Sequence, residues 1–289
     1  NFNSNGNSKI WTWAGWVKRT QDGSAHSIFD VDVSGTAYQI FVIEASGAVN
    51  VEFYTGSGYF MRFLTTSAEH IFEDHNGWAH FTVRVDTTHN ESSERLVVYC
   101  NGERLQSTIY VAPTKDAETQ INQYFQHHIG YDSNSSSNNF VGAMSDLYMV
   151  DGQALDPTVF GFFKDGSGSM QGGHRTSSKG SSKLGGKFSP RMPSHVKSIV
   201  ESRGGFGVNG YYLPCASGLN PGADFHVEPD TILKINSDKA QPLIGEIYSD
   251  PTGSYVDVVR EDEYSEYLEL AIPFIENGLV NGYGDYSGV

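Results

Sequence analysis

The sequence predicts an all-β chain folded as an antiparallel two-sheet β-sandwich. Three observations lead there: short runs that alternate apolar and polar residues, turn residues between them at regular spacing, and an aromatic-rich, charge-poor composition. Of 289 residues, 32 are Gly, 16 Tyr and 17 Phe, and only 18% are charged. That balance disfavours coiled coils and helical repeats. The formal net charge of −15 repels phosphate backbones and anionic headgroups, so neither nucleic acid nor membrane insertion is expected. No run reaches the roughly 20 apolar residues of a spanning helix.

Taken in order, IWTWAGWVK (Ile10 to Lys18) is the first strand and ends near Asp22-Gly23. SIFDVDV (Ser27 to Val33), YQIFVIE (Tyr38 to Glu44), VNVEFY (Val49 to Tyr54) and YFMRFL (Tyr59 to Leu64) follow, each bounded by Gly, Ser or Asn. In WAHFTVRVD (Trp78 to Asp86), Ala79, Phe81, Val83 and Val85 form the face expected to be buried. RLVVYC (Arg95 to Cys100) and ERLQST (Glu103 to Thr108) flank Asn101-Gly102, the dipeptide suited to the two positive φ values of a type I′ hairpin. HHIGYD (His127 to Asp132) and NFVGAMSDLYMV (Asn139 to Val150) complete the set around the polar tract Ser133 to Asn138. Asp156-Pro157 through Gly161 predicts one helical turn, with an Asp cap, Pro at the first position and a Gly stop.

Residues 164–205 form a long Gly/Ser/Lys-rich insert, read as a basic linker with too few apolar residues for a core. It carries eight Lys/Arg and two acids, whereas residues 1–163 hold eight and eighteen. Lys179, Lys183 and Lys187 are the residues expected to lie along an acidic surface, against the plainer reading of a solvated linker. Residues 206–289 form an extended C-terminal region, with one strand at 206–213 and an amphipathic strand at 265–274 that places Leu268, Leu270 and Ile272 on one face. Cys100 and Cys215 read either as one long-loop disulfide or as two unrelated thiols.

Catalytic signatures are missing from the sequence. It holds no GxSxG elbow, GxxxxGK[ST] loop or HExxH helix. A sugar-cleaving sandwich would need paired carboxylates; Glu228-Pro229-Asp230 lacks the third acid, and Asp30 and Asp32 read as a solvent-facing pair. His127 and His128 point to opposite strand faces and read as structural, and the five-residue spacing of His70, His75 and His80 gathers no ligand set. No cofactor is expected. Calcium is the one metal the oxygen-rich loops would suit, with Asp132 and Asn134 as candidate ligands beside Asn138, Asn139, Asp30 and Asp32; the alternative is an ordinary polar loop. Trp11 and Trp13 share one strand face and Trp16 takes the other; core packing is the expected role, with sugar stacking as the alternative.

NSKIWTWAGWVKR (Asn7 to Arg19), GWAHFTVRVDTT (Gly77 to Thr88), RLVVYCNGERL (Arg95 to Leu105) and the stretch His127 to Gly161 together resemble a laminin-G-like, concanavalin-A-type jelly roll. More narrowly they resemble the version found in large virion proteins of tailed phages, and FGVNGYYL (Phe206 to Leu213) is similar to that group's NGFYL strand. The resemblance implies a non-enzymatic fibre, tail or capsid-decorating module, located on a virion or outside cells, that assembles with copies of itself and other virion proteins. A family strand that normally precedes the WTW segment is not seen; either the sequence is a portion of a longer multi-repeat protein, or a neighbour's 265–274 strand fills the groove left there. The first functional expectation is therefore a self-assembling structural protein. The alternative is a glycan-binding adhesin that recognises a cell-surface glycan.

Overall fold

The computed structural model describes residues 4–20, 23–34, 37–65, 77–133, 138–164, 170–171, 187–215, 246–249 and 255–259. The strands run β1 (Ile10–Arg19), β2 (His26–Ser34), β3 (Ala37–Ile43), β4 (Val49–Tyr54), β5 (Tyr59–Leu64), β6 (Ala79–Asp86), β7 (Leu96–Cys100), β8 (Glu103–Arg104), β9 (Ile109–Val111), β10 (Gln126–Ile129), β11 (Gly142–Asp151), β12 (Gly161–Lys164), β13 (Met170–Gln171), β14 (Lys187–Pro190), β15 (Tyr211–Leu213), β16 (Glu246–Ser249) and β17 (Tyr255–Val259), with one helix, α1 (Pro193–Ser202). Two six-stranded antiparallel sheets, ordered β15-β11-β1-β6-β7-β8 and β10-β2-β3-β4-β5-β9, make the sandwich. Strands β12 to β14 form a small sheet of their own, and β16 pairs with β17.

Alternation decides which side chains meet between the sheets. Trp11, Trp13 and Val17 of β1 and Phe81, Val83 and Val85 of β6 face Phe29 and Val31 of β2, Phe41 of β3 and Val51 and Phe53 of β4 in one core. The rings interlock: Phe41 lies 5.4 Å from both Trp13 and Phe81, each edge-on. Trp11 and Trp13 are therefore core residues, and the Trp11 indole N–H donates to Thr119 Oγ1 at 3.1 Å, so its polar end is satisfied inside. Asn101 and Gly102 take φ of 47° and 77°, the left-handed pair that a tight hairpin between β7 and β8 requires. At the single turn after β11, Asp156 Oδ1 accepts from the Thr158 N–H at 2.9 Å, with Pro157 in the first turn.

The first sheet is covered on its outer side as well. Residues 187–205 do not lack a core: α1 buries Val196 and Val200 completely and packs them with Ala14, Tyr148, Val150, Phe160 and Tyr212. The apolar residues Val196, Ile199 and Val200 fall three and four apart, one helical face. Phe188 of β14 sits with Trp16, Trp78 and Phe163 in a third cluster. A Cβ added at Gly102 would lie 2.5 Å from the Phe188 ring, so the hairpin turn must be glycine for steric reasons too. On the face of β6 opposite the main core, His80 and Thr82 are thus both buried, while Arg84 is partly exposed. Strand β15 pairs with β11 through Leu147↔Leu213, Tyr148↔Tyr212 and Met149↔Tyr211. Cys100 and Cys215 are both free thiols, and burial pushes the Cys215 thiol up to about 12.

Candidate functional site

On the outer face of the second sheet Ile40, Val42, Asn50 and Glu52 are buried, while the tyrosines beside them are half-buried or exposed. The register of β2 to β5 lines up cross-strand rows there. One row runs His128–Asp30–Ile40–Glu52–Arg62, through the pairs His128↔Asp30, Asp30↔Ile40, Ile40↔Glu52 and Glu52↔Arg62. The next runs Tyr38–Tyr54–Tyr59. These positions alternate with Phe41, Val51, Phe53 and Met61, which point into the core.

Three tyrosines from three adjacent strands therefore stand side by side. The Tyr38 and Tyr54 rings are 5.4 Å apart and those of Tyr54 and Tyr59 5.1 Å apart. Tyr38 and Tyr54 are half-buried, while Tyr59 is exposed. Glu52 anchors the row: its Oε1 accepts from the Tyr38 hydroxyl at 3.1 Å, and its Oε2 accepts from Asn50 Nδ2 at 3.1 Å. Asn50 Nδ2 also donates to Glu44 Oε1 at 2.6 Å. Arg62 Nε lies 3.2 Å from Glu52 Oε2, out of line for a hydrogen bond, and its guanidinium carbon rests 4.4 Å above the Tyr59 ring. Burial, reinforced by the Glu52 charge, drives the Tyr38 hydroxyl far above the usual phenol range, so it stays a neutral donor.

At the β10 end of the same face, Asp30 departs from expectation. It is fully buried instead of facing solvent. His128 Nδ1 contacts its Oδ2 at 3.2 Å and the Ser133 N–H donates to the same oxygen at 3.1 Å, so β10 and the loop beyond it cover the carboxyl. Desolvation raises the Asp30 carboxyl above the ordinary range, opposed by the Ser133 and His128 contacts. His128 also packs against Tyr131, at 5.1 Å between centroids. His127, on the opposite strand face, contacts Phe29 at 5.8 Å and is held down at about 4 by desolvation, in line with a structural role.

Three carboxylates among the described residues belong to this face, Asp30, Glu44 and Glu52. Two strand spacings, about 10 Å, separate the backbones of Asp30 and Glu52 with Ile40 between them, whereas Asn50 Nδ2 bridges Glu44 and Glu52. Asp30 exposes nothing to a ligand, and Glu52 is engaged by Tyr38, Asn50 and Arg62. Asp132 is buried, with Asn138 Nδ2 donating to its Oδ2 at 2.9 Å and its own N–H donating to Asn139 Oδ1 at 3.2 Å. Among the described residues, no group of three or more His, Cys, Asp or Glu gathers to hold a metal ion. Asn134 lies outside the described residues, as do Lys179, Lys183, Leu268, Leu270, Ile272 and the Glu228–Asp230 pair; Lys187 lies on β14. The tyrosine row escaped the sequence reading because its members sit on separate strands. The outward positions of each strand were legible, but the register that joins them was not.

The family follows from comparison with known proteins. Residues 2–158, more than half of the chain, match the profile described as Concanavalin A-like lectin/glucanases superfamily. The chain belongs to that superfamily. No curated protein matches it. Among solved structures, the superfamily chain is similar to the native heptameric SAP-like pentraxin of Limulus polyphemus, at 15% identity over 53% of this chain and 69% of that one, with a TM-score of 0.37. It is also similar to the CBM40 domain of the Ruminococcus gnavus IT-sialidase, at 12% identity over 55% of this chain and 92% of that one, TM-score 0.40. A third is the leech intramolecular trans-sialidase complexed with 2,7-anhydro-Neu5Ac, at 14% identity over 55% of this chain but only 26% of that one, TM-score 0.41.

Proposed function

We propose that the protein is a non-catalytic glycan-binding module, and that the outer face of the second sheet is its binding surface. The observation that carries this reading is the contiguous row Tyr38–Tyr54–Tyr59, held from below by Glu52, Asn50 and Arg62. Aromatic faces pack against the C–H faces of pyranose rings, while fixed polar groups at their margin pair with hydroxyls. Two successive centroid spacings of 5.4 and 5.1 Å give the row room for more than one sugar ring. Rigid strands hold the rings before the ligand arrives, which limits the entropy lost on binding.

The non-catalytic reading is supported by the engagement of the carboxylates: Asp30 is fully buried, and Glu52 is held by Tyr38, Asn50 and Arg62. The setting we propose is a virion or an extracellular fibre, as the resemblance to phage virion modules implies. Glycan binding takes precedence over self-assembly because the tyrosine row gives it a defined surface. The test is a titration of the protein with oligosaccharides, followed by calorimetry. Tyr54→Ala should weaken binding at least about tenfold, in keeping with roughly 0.5–1.5 kcal/mol for an aromatic contact plus its buried area. Unchanged affinity in this variant would sink the assignment of the face. The same titration repeated with chelator and with added calcium tests the loop metal, whose removal should leave binding intact.

A further inference from the structure

Arg62, on the tyrosine face, is only partly used. Its Nε side is turned to Glu52, its guanidinium carbon lies 4.4 Å from the Tyr59 ring centroid, and the side chain remains 20% exposed. Among the described residues, neither terminal nitrogen of the guanidinium has a protein partner. Glu52 and the Tyr59 ring hold the guanidinium from the edge and from below, so the outer fork is fixed in place. A planar fork with two unpaired N–H groups matches the two oxygens of a carboxylate, and such charge-assisted pairs are about twice as strong as neutral ones. Beside it lie the rings against which a sugar would pack.

We infer that the face takes a carboxylate-bearing saccharide and that Arg62 binds the carboxylate in bidentate fashion; this rests on the glycan reading of the same surface. The overall charge of −15 opposes an acidic ligand at a distance. At physiological ionic strength the Debye length is about 8 Å, which screens the distant charges; Glu52, 3.2 Å from Arg62 Nε, still offsets part of the guanidinium charge, so the preference rests on the geometry of the outer fork. Two sources carry this chemistry: a uronic-acid oligosaccharide or a terminal sialic acid.

The experiment titrates the full chain by calorimetry with tri-galacturonic acid and 3′-sialyllactose, and with galactotriose and lactose as their neutral counterparts. At least one acidic probe should bind about tenfold or more tightly than its neutral counterpart. Arg62→Gln should erase that preference, so that acidic and neutral probes bind alike. Arg62→Lys, which keeps the charge facing Glu52 but lacks the fork, should fall between; it also guards against misfolding of the glutamine variant. Equal affinity for acidic and neutral probes, or a preference that survives in both variants, overturns the carboxylate inference and leaves the glycan reading standing. No binding to any probe overturns both.

Discussion

Lowering the pH from about 7.5 to 4.5 should remove about 3 kcal/mol of folding stability through one side chain, His80. Its imidazole is completely buried on the outer side of the first sheet, 5.1 Å from the Trp16 ring and 5.3 Å from that of Phe188, with Phe160 at 6.1 Å. Desolvation holds its pKa down at about 3, against 6.5 for a free imidazole. Because the folded value is the lower one, its contribution is fully present above 6.5 and is lost as the pH falls from there towards about 3. At pH 4.5 roughly two of those units have been crossed, and each is worth about 1.4 kcal/mol. Asp30 and Asp146 have raised values and push in the opposite direction, so the wild-type curve alone does not isolate the histidine. The difference between wild type and His80→Phe does. Urea unfolding followed by tryptophan fluorescence at both pH values gives that difference, with His80→Leu as a second variant in case Phe overfills the site. Overpacking would shift stability at every pH without changing the slope. The same pH dependence in all three proteins would refute the claim that β12, β14 and the hairpin turn enclose His80.

Val200→Ala should cost about 2 kcal/mol by opening a cavity under α1, read as a lower urea midpoint with far-UV dichroism preserved. Gly102→Ala should cost about 3 kcal/mol, since it adds left-handed strain at φ 77° to a clash with Phe188; a change below 1 kcal/mol would mean the turn relaxes freely. Asp146 occupies φ 50° in β11, where its carboxylate accepts from the Tyr212 hydroxyl at 2.7 Å, and desolvation raises its pKa. A raised carboxyl contributes stability below its unfolded value that is lost as the pH rises through the folded one. Asp146→Asn should therefore flatten the stability profile above pH 4, as denaturation at several pH values would show. Maleimide labelling at neutral pH should be slow at Cys215, whose thiol is held at about 12, and should become rapid in urea.

Much of the sandwich was legible because its signals are local. Alternation in Trp78 to Asp86 placed Ala79, Phe81, Val83 and Val85 inward, and Asn101-Gly102 announced its hairpin. Tertiary cover was not legible. His80 and Thr82 look like a solvent face until Val196 and Val200, Phe188 and Phe163 are known to fold back over the sheet, and those residues lie in or beside a segment dominated by Gly, Ser and Lys. Asp30 misled for the same reason: its burial comes from His128 and Ser133, about a hundred positions away. The candidate site was least legible of all. Tyr38, Tyr54 and Tyr59 become one surface only through cross-strand register, and in a chain with 16 tyrosines nothing local distinguishes these three.

Backbone amide chemical-shift mapping with an oligosaccharide that binds tests the central claim most directly. Shifts should concentrate on β3, β4 and β5 around Tyr38, Tyr54 and Tyr59, with no new reducing ends appearing in the sample. Shifts centred on α1 or on the β10–β11 loop, or release of shorter sugars, would contradict it.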